Sequence, residues 1–239
     1  QAGAQFGYAV GSAGDVNADS RADVIVGAPL YDHPDGAVPG TNEGGAWVYH
    51  GNGTGVNWVP DFFAQANQAG AQMGYAVATA GDVNNDGFAD MIVGGPYYDD
   101  PWGDEGAAWV WHGSSLGLNG GENGTPDNAQ WHARANENGA MLGISVSTAG
   151  DVNGDTFADV IVGAYQYGAL EQGIAAVWHG SAEGVNGGAE GIPIVGNAGW
   201  LATGAPDGAH LGRSVSTAGD VNSDGYADVI VGAPHYSNY

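Results

Sequence analysis

A chain of 239 residues with 27 acidic side chains and only three basic ones has a formal net charge of −24. That charge excludes the clustered cations that release counterions from nucleic acid and disfavours adsorption to an anionic membrane surface. Hydrophobic residues make up 43%, enough for a packed core rather than an acidic disordered tail, and no apolar run approaches the roughly 18–20 residues that span a bilayer.

The chain opens at Gln1 in what already reads as a repeat, so either a leader has been removed or this is a piece of a longer protein. The first strand is expected after Phe6-Gly7, over the short segment at Tyr8. An acidic turn follows in the run GDVNADSRADVIVGAP from Gly14. The second strand is the β-branched stretch at Val24, ending at Gly27-Ala28-Pro29. A polar loop with Tyr31, Asp32, His33 and Asp35 leads to a third strand, GGAWVYHG from Gly44, and a fourth of the type Phe-Phe-Ala-Gln. Short β-branched and aromatic runs bounded by Gly, Asn, Asp and Pro are strand signals, and no stretch carries a capped helical period.

The same order recurs. Near-copies of the acidic run start at Gly81, Gly150 and Gly219, about 67–69 residues apart, and third-strand copies start at Gly106 and Gly173. The repeats are approximately 1–67, 68–136, 137–205 and a half repeat 206–239. Four strands per repeat at this spacing predict an all-β fold, a β-propeller of four-stranded antiparallel blades with about three and a half blades in this chain. Small residues on the first strands suit a crowded axis, and the aromatics of the third strands suit the space between blades. A half-ring exposes sheet faces and edges, so the ring is expected to be completed by missing sequence or by another chain. A fragment and a head-to-tail homo-oligomer both fit. Two copies would supply the strands of a seven-bladed ring, although their half-blades are both inner hairpins.

The acidic runs are candidate metal loops. Side-chain oxygens fall at positions 1, 3, 5 and 9: Asp15, Asn17, Asp19 and Asp23; Asp82, Asn84, Asp86 and Asp90; Asp151, Asn153, Asp155 and Asp159; Asp220, Asn222, Asp224 and Asp228. Position 7 can add a backbone carbonyl, from Arg21, Phe88, Phe157 and Tyr226. Hard oxygen donors around one tight loop suit Ca²⁺, about four ions per chain; Mg²⁺ keeps more of its water, and Zn²⁺ wants His or Cys, which the loops lack. An EF-hand is excluded, because position 12 holds Val26, Val93, Val162 and Val231 in place of a bidentate Glu. The alternative is a set of Asx turns, but three carboxylates within nine residues, four times over, repel one another without a cation. Position 6 is Gly87 and Gly225 in two loops and Ser20 and Thr156 in the others, where a left-handed backbone costs about 1–2 kcal/mol.

Together these features resemble the FG-GAP repeat of integrin α-subunit propellers and of bacterial surface and secreted proteins. The naming dipeptide stands as Phe6-Gly7, Met73-Gly74, Leu142-Gly143 and Leu211-Gly212. The tripeptide stands as Gly27-Ala28-Pro29, Gly94-Gly95-Pro96, Gly163-Ala164-Tyr165 and Gly232-Ala233-Pro234. The resemblance implies calcium that stiffens the hairpins on one face, a protein or glycan ligand bound by loops on the other, and an extracellular or cell-surface setting. Catalysis finds little support in the residues, since no nucleophile elbow, phosphate loop or zinc helix is present; the alternatives are a carbohydrate-binding module or the propeller portion of a larger secreted hydrolase. His50, His112 and His179 recur at the end of strand three and are read as packing or hydrogen-bonding residues. Tyr97, Tyr98, Asp99, Asp100, Trp102, Asp104 and Glu105 in the second long loop suit sugar stacking or an ordinary polar loop. Glu43, Glu105 and Glu171 read as extra metal ligands or turn caps.

Overall fold

A computed structural model describes residues 1–33, 42–187, 197–204 and 206–237; Asp35 of the first long loop lies outside them. The described residues form three four-stranded antiparallel sheets and two two-stranded ones; the four-stranded sheets and the larger of the two-stranded ones make the expected three and a half blades. The first sheet runs in order through β1 (Ala9–Gly14), β2 (Asp23–Ala28), β3 (Gly45–Tyr49) and β6 (Phe62–Gln65), with a short hairpin of β4 (Gly51–Asn52) and β5 (Gly55–Val56) inserted before β6. The second holds β7 (Ala76–Gly81), β8 (Asp90–Gly95), β9 (Ala107–Trp111) and β10 (Trp131–Arg134). The third holds β11 (Ser145–Gly150), β12 (Asp159–Ala164), β13 (Ile174–Trp178) and β14 (Trp200–Thr203), and the half-blade is β15 (Ser214–Gly219) with β16 (Asp228–Gly232).

The inner strands β1, β7, β11 and β15 lie against one another in sequence around the axis. Alternate residues of one strand serve the two faces of its blade. Met91 and Val93 of β8 join the core shared with the first blade, while Ile92 between them joins the core shared with the third. Trp109 and Trp111 face the first blade and Ala108 and Val110 the third. Each complete inner blade is therefore apolar on both faces, and Trp109, Trp111 and Trp178 of strand three fill the space between blades, as expected, whereas Trp47 is half-buried beside the exposed Phe6.

The two naming motifs are the halves of one seam. Inside a blade the amide of Gly7, Gly74, Gly143 or Gly212 donates to the carbonyl of Gly27, Gly94, Gly163 or Gly232 at 3.0–3.1 Å. Between blades, a Cβ on Gly27, Gly94 or Gly163 would overlap the carbonyl oxygen of the next blade's Gly74, Gly143 or Gly212. Two backbones touch there, and no side chain fits between them.

Candidate metal loops

Each acidic loop joins an inner strand to the second strand of its blade. A β-bulge lies just before it, for example between Thr79 and Gly81 in the pairing of β7 with β8. The bulge glycine Gly81 has φ +85°, and a Cβ there would run into the methyl group of Ala158 in the next blade. The Gly-Asp opening of the motif is thus set by a left-handed turn and a close approach at the same residue.

Positions 1, 3 and 5 then fold over the loop backbone in the same way four times. The position-5 amide donates to the position-1 carboxylate at 3.0–3.1 Å and to the position-3 asparagine oxygen at 2.9–3.2 Å. The position-6 amide donates to the other position-1 oxygen at 2.8–3.0 Å. Position 6 is left-handed throughout: Ser20 at φ 67° and Thr156 at 78°, beside Gly87 at 90° and Gly225 at 92°. The hydroxyl residues adopt the glycine conformation and bear its strain.

Position 9 is built differently. Asp23, Asp90 and Asp159 are fully buried. One oxygen accepts the amide of Val16, Val83 or Val152 inside the loop at 2.7–2.9 Å. The other accepts the amide of Gly51, Gly113 or Gly180, just past strand three, at 2.8–2.9 Å. This aspartate clasps the loop to its own blade. Asp228 keeps the inner bond, to Val221 at 2.9 Å. With its oxygens so engaged, no three Asp, Glu, His or Cys side chains among the described residues draw together into a metal cage. The donors that do face one another in each loop are the position-1 carboxylate and the position-3 amide oxygen. The loop carboxylate oxygens mostly accept one backbone amide each and so keep a lone pair, the exception being Asp151 Oδ1, which accepts the amides of both Gly154 at 2.7 Å and Asp155 at 3.1 Å; the all-oxygen set fits a hard cation.

Burial pushes the Asp90 carboxyl up to about 7, against the relief of its two amide bonds, and raises Asp23 and Asp159 in the same direction. A raised value means the folded state takes up the proton more readily than the unfolded chain. That contribution is complete below about pH 4 and is lost as pH rises through about 7. In chelator, thermal melts between pH 4.5 and 8 are therefore expected to show falling stability with pH; a melting temperature that rises across this range would contradict the buried-clasp geometry.

Successive loops are linked. The position-8 amides of Ala89, Ala158 and Ala227 donate to the position-1 carbonyls of Asp15, Asp82 and Asp151 in the preceding blade at 2.8–3.0 Å. Ser114 and Ser181 donate to the position-2 carbonyls of Val16 and Val83 at 3.0–3.1 Å. Sequence reading missed this link, though the alanine at position 8 of all four runs was its visible trace.

Other candidates resolve into packing. Tyr31 stands edge-on to Trp47 at 4.9 Å and Tyr98 edge-on to Trp109 at 5.1 Å, so these loop tyrosines lean inward on strand three; Trp102 is exposed, with its indole bonded to Asn136. The bridges Gly44–Met73, Gly106–Leu142 and Gly173–Leu211 fix the register. In that register Glu43 and Glu105 correspond to Gln172, with Glu171 one residue earlier. Glu43 and Glu105 are buried and accept the amides of His33 and Asn136 at 2.8 Å, the geometry of a turn cap, whereas Glu171 pairs with His210.

Four-stranded blades ranged about shared inner strands, each with an acidic hairpin loop at the same place, define a repeat protein of β-propeller architecture. The FG-GAP repeat model matches residues 6–49, 73–111, 142–178 and 211–239, and the chain belongs to the FG-GAP repeat family. It is 31% identical over 224 residues to integrin alpha-PS2 of Drosophila melanogaster, covering 92% of this chain and 14% of that protein. It is 30% identical over 233 residues to integrin alpha-V of Gallus gallus, covering 95% of this chain and 20% of that protein. The chain thus spans a fifth or less of these relatives' length. The crystal structure of the exotype rhamnogalacturonan lyase YesX aligns with 93% of this chain and 38% of its own at a TM-score of 0.46 and 13% identity, a likeness too slight to bear on activity. Among the described residues no helix is long and apolar enough to cross a membrane.

Proposed function

We propose that the chain is a calcium-stabilised, non-enzymatic propeller module of an extracellular or cell-surface protein, acting in adhesion or assembly. The observation that carries this is the fourfold identity of the loop geometry: the same carboxylate and amide oxygens at positions 1, 3 and 5, closed by the same position-9 aspartate. Asp15, Asn17, Asp19 and Asp23 and their counterparts in the other three loops would hold the ion, with the carbonyls of Arg21, Phe88, Phe157 and Tyr226. Bound calcium supplies the positive charge that offsets the crowded carboxylates and stiffens the hairpins. Calorimetric titration of chelator-treated protein tests the reading: uptake near four ions per chain supports it, and no heat of binding sinks it.

The loops are not equivalent. In the first, the Arg21 guanidinium sits 3.2 Å from the Asp19 carboxylate, a cation already in place beside a proposed ligand. Replacing Arg21 with Ala gives up an exposed pair worth about 0.2–1 kcal/mol and is expected to tighten calcium at this loop by up to about fivefold, since Asp19 regains its full charge. An unchanged affinity in the Arg21→Ala titration would remove Asp19 from the ligand set.

The partner is proposed to be a protein or a glycan held by the loops opposite the acidic hairpins. The outer faces of the first and last blades favour a further partner. Phe6 and Val10 are 57% and 66% exposed, and Val221 and Ile230 are 71% and 62% exposed, whereas their counterparts between blades, Met73, Val77, Val83 and Ile92, are 9% exposed or less. These faces carry the surface of a blade seam, so a further blade or a second copy of this chain fits them. A clean monomer in light scattering at high concentration would argue against the second copy.

A further inference from the structure

We infer that His50 orients Asn17 in the first loop, so that the amide turns its oxygen and not its nitrogen toward the loop interior; this rests on the calcium reading above. An asparagine offers a hard cation one useful atom, Oδ1, and a flipped amide offers only N–H groups. In the second, third and fourth loops the amide nitrogen of Asn84, Asn153 or Asn222 is held by the position-5 carboxylate of Asp86, Asp155 or Asp224 at 2.8–2.9 Å. In the first loop that carboxylate oxygen, Asp19 Oδ2, is engaged by Arg21 at 3.2 Å. The Asn17 nitrogen turns instead to His50 Nδ1 at 3.2 Å, while Asn17 Oδ1 accepts the Asp19 amide at 3.1 Å. His50 replaces the holder that Arg21 has captured.

The ring is placed for this from three sides. His50 sits just past strand three, and its own amide is bonded to Asp61 Oδ2 at 2.8 Å. Asp61 Oδ1 lies 3.6 Å from Nδ1, beyond hydrogen-bond reach, and the Asn57 amide donates to both Asp61 oxygens at 3.0 Å. On the far side Gly117 of the next blade covers the ring, and a Cβ there would stand 3.1 Å from Cε1. The buried Nε2 has no hydrogen-bond partner, so the imidazole's one strong polar contact to another side chain is the Asn17 amide. His112 repeats the arrangement more loosely, 3.5 Å from Asn84, whose amide Asp86 already holds. The first loop is therefore the one that depends on its histidine.

The test is calcium titration by calorimetry on the full chain, with melting temperature in chelator recorded beside it. His50→Phe keeps a ring of similar size and removes the acceptor; it is expected to weaken one site about fivefold, the worth of a single net hydrogen bond. His50→Asn, whose side-chain oxygen can stand where Nδ1 stood, is expected to restore affinity to within about twofold. In an Asn17→Asp background, where either oxygen can face the ion, His50→Phe is expected to cost no further affinity. A packing defect from the phenylalanine would appear in both backgrounds; an orientation effect appears only with asparagine. The inference is overturned if His50→Phe binds like the parent, if His50→Asn fails to rescue, or if the loss from His50→Phe persists in the Asn17→Asp background. A parent chain that takes up no calcium overturns the metal reading and this inference with it, whereas a parent that binds while the variants do not differ overturns this inference alone.

Discussion

Stripping calcium with a chelator is expected to lower the melting temperature by more than about 15 °C. Twelve of the 27 acidic side chains lie in the four loops, and of the three arginines only Arg21 reaches one of them. A ligand at 100 times its dissociation constant stabilises the folded state by about 2.7 kcal/mol per site, and each kcal/mol moves the melting point of a domain this size by about 2–4 °C. Several sites acting together therefore exceed any single side chain in the molecule. The shift is expected to reverse on adding back calcium and to be smaller with magnesium, which gives up its water reluctantly. If chelator leaves the melting curve unmoved, the backbone bonds to positions 1, 3, 5 and 9 hold the loops unaided and the aspartates are turn residues.

The second large effect belongs to the seam. Gly94→Ala is expected to destabilise the protein by about 3 kcal/mol or more. The new methyl group would meet the Gly143 carbonyl oxygen and backbone, which cannot rotate away as a side chain would. The second and third blades would have to part, disturbing the core that Ile92 and Val162 share. Gly53→Ala serves as the control, since nothing lies within 4 Å of its added Cβ, and a change of no more than about 0.5 kcal/mol is expected there. Equal melting points for the two variants would show that the blades do not meet at the glycines.

The fold was legible because it is repeated. Four copies of one run and three of another fixed the strand order, the antiparallel pairing and the blade count, whereas which residues of β8 and β9 serve which face came only from the packing. The acidic loops were legible from Asp, Asn and Gly at fixed offsets. What could not be read were contacts between blades or between distant strands of one blade. His50 meets Asn17 across 33 positions and Asp90 meets Gly113 across 23, and nothing local in the chain marks either pairing. Position 9 read as a fourth ligand like the others, yet its burial makes it first of all a clasp. The long-loop aromatics read either as sugar-stacking residues or as an ordinary polar loop with buried tyrosine edges; Tyr31 and Tyr98 follow the second reading, edge-on to Trp47 and Trp109 of strand three in their own blades. Glu171 was grouped with Glu43 and Glu105 by its place before strand three, and only the bridge at Gly173 shows that Gln172 holds their position.

Each blade meets its successor through the same glycine pair and the same alanine-to-aspartate amide bond, whichever two blades are compared. A blade gained by tandem duplication of its coding segment would find both of its mating surfaces already made, and a blade lost would leave two that still match. Ring size in such a lineage is free to drift without any new interface having to evolve.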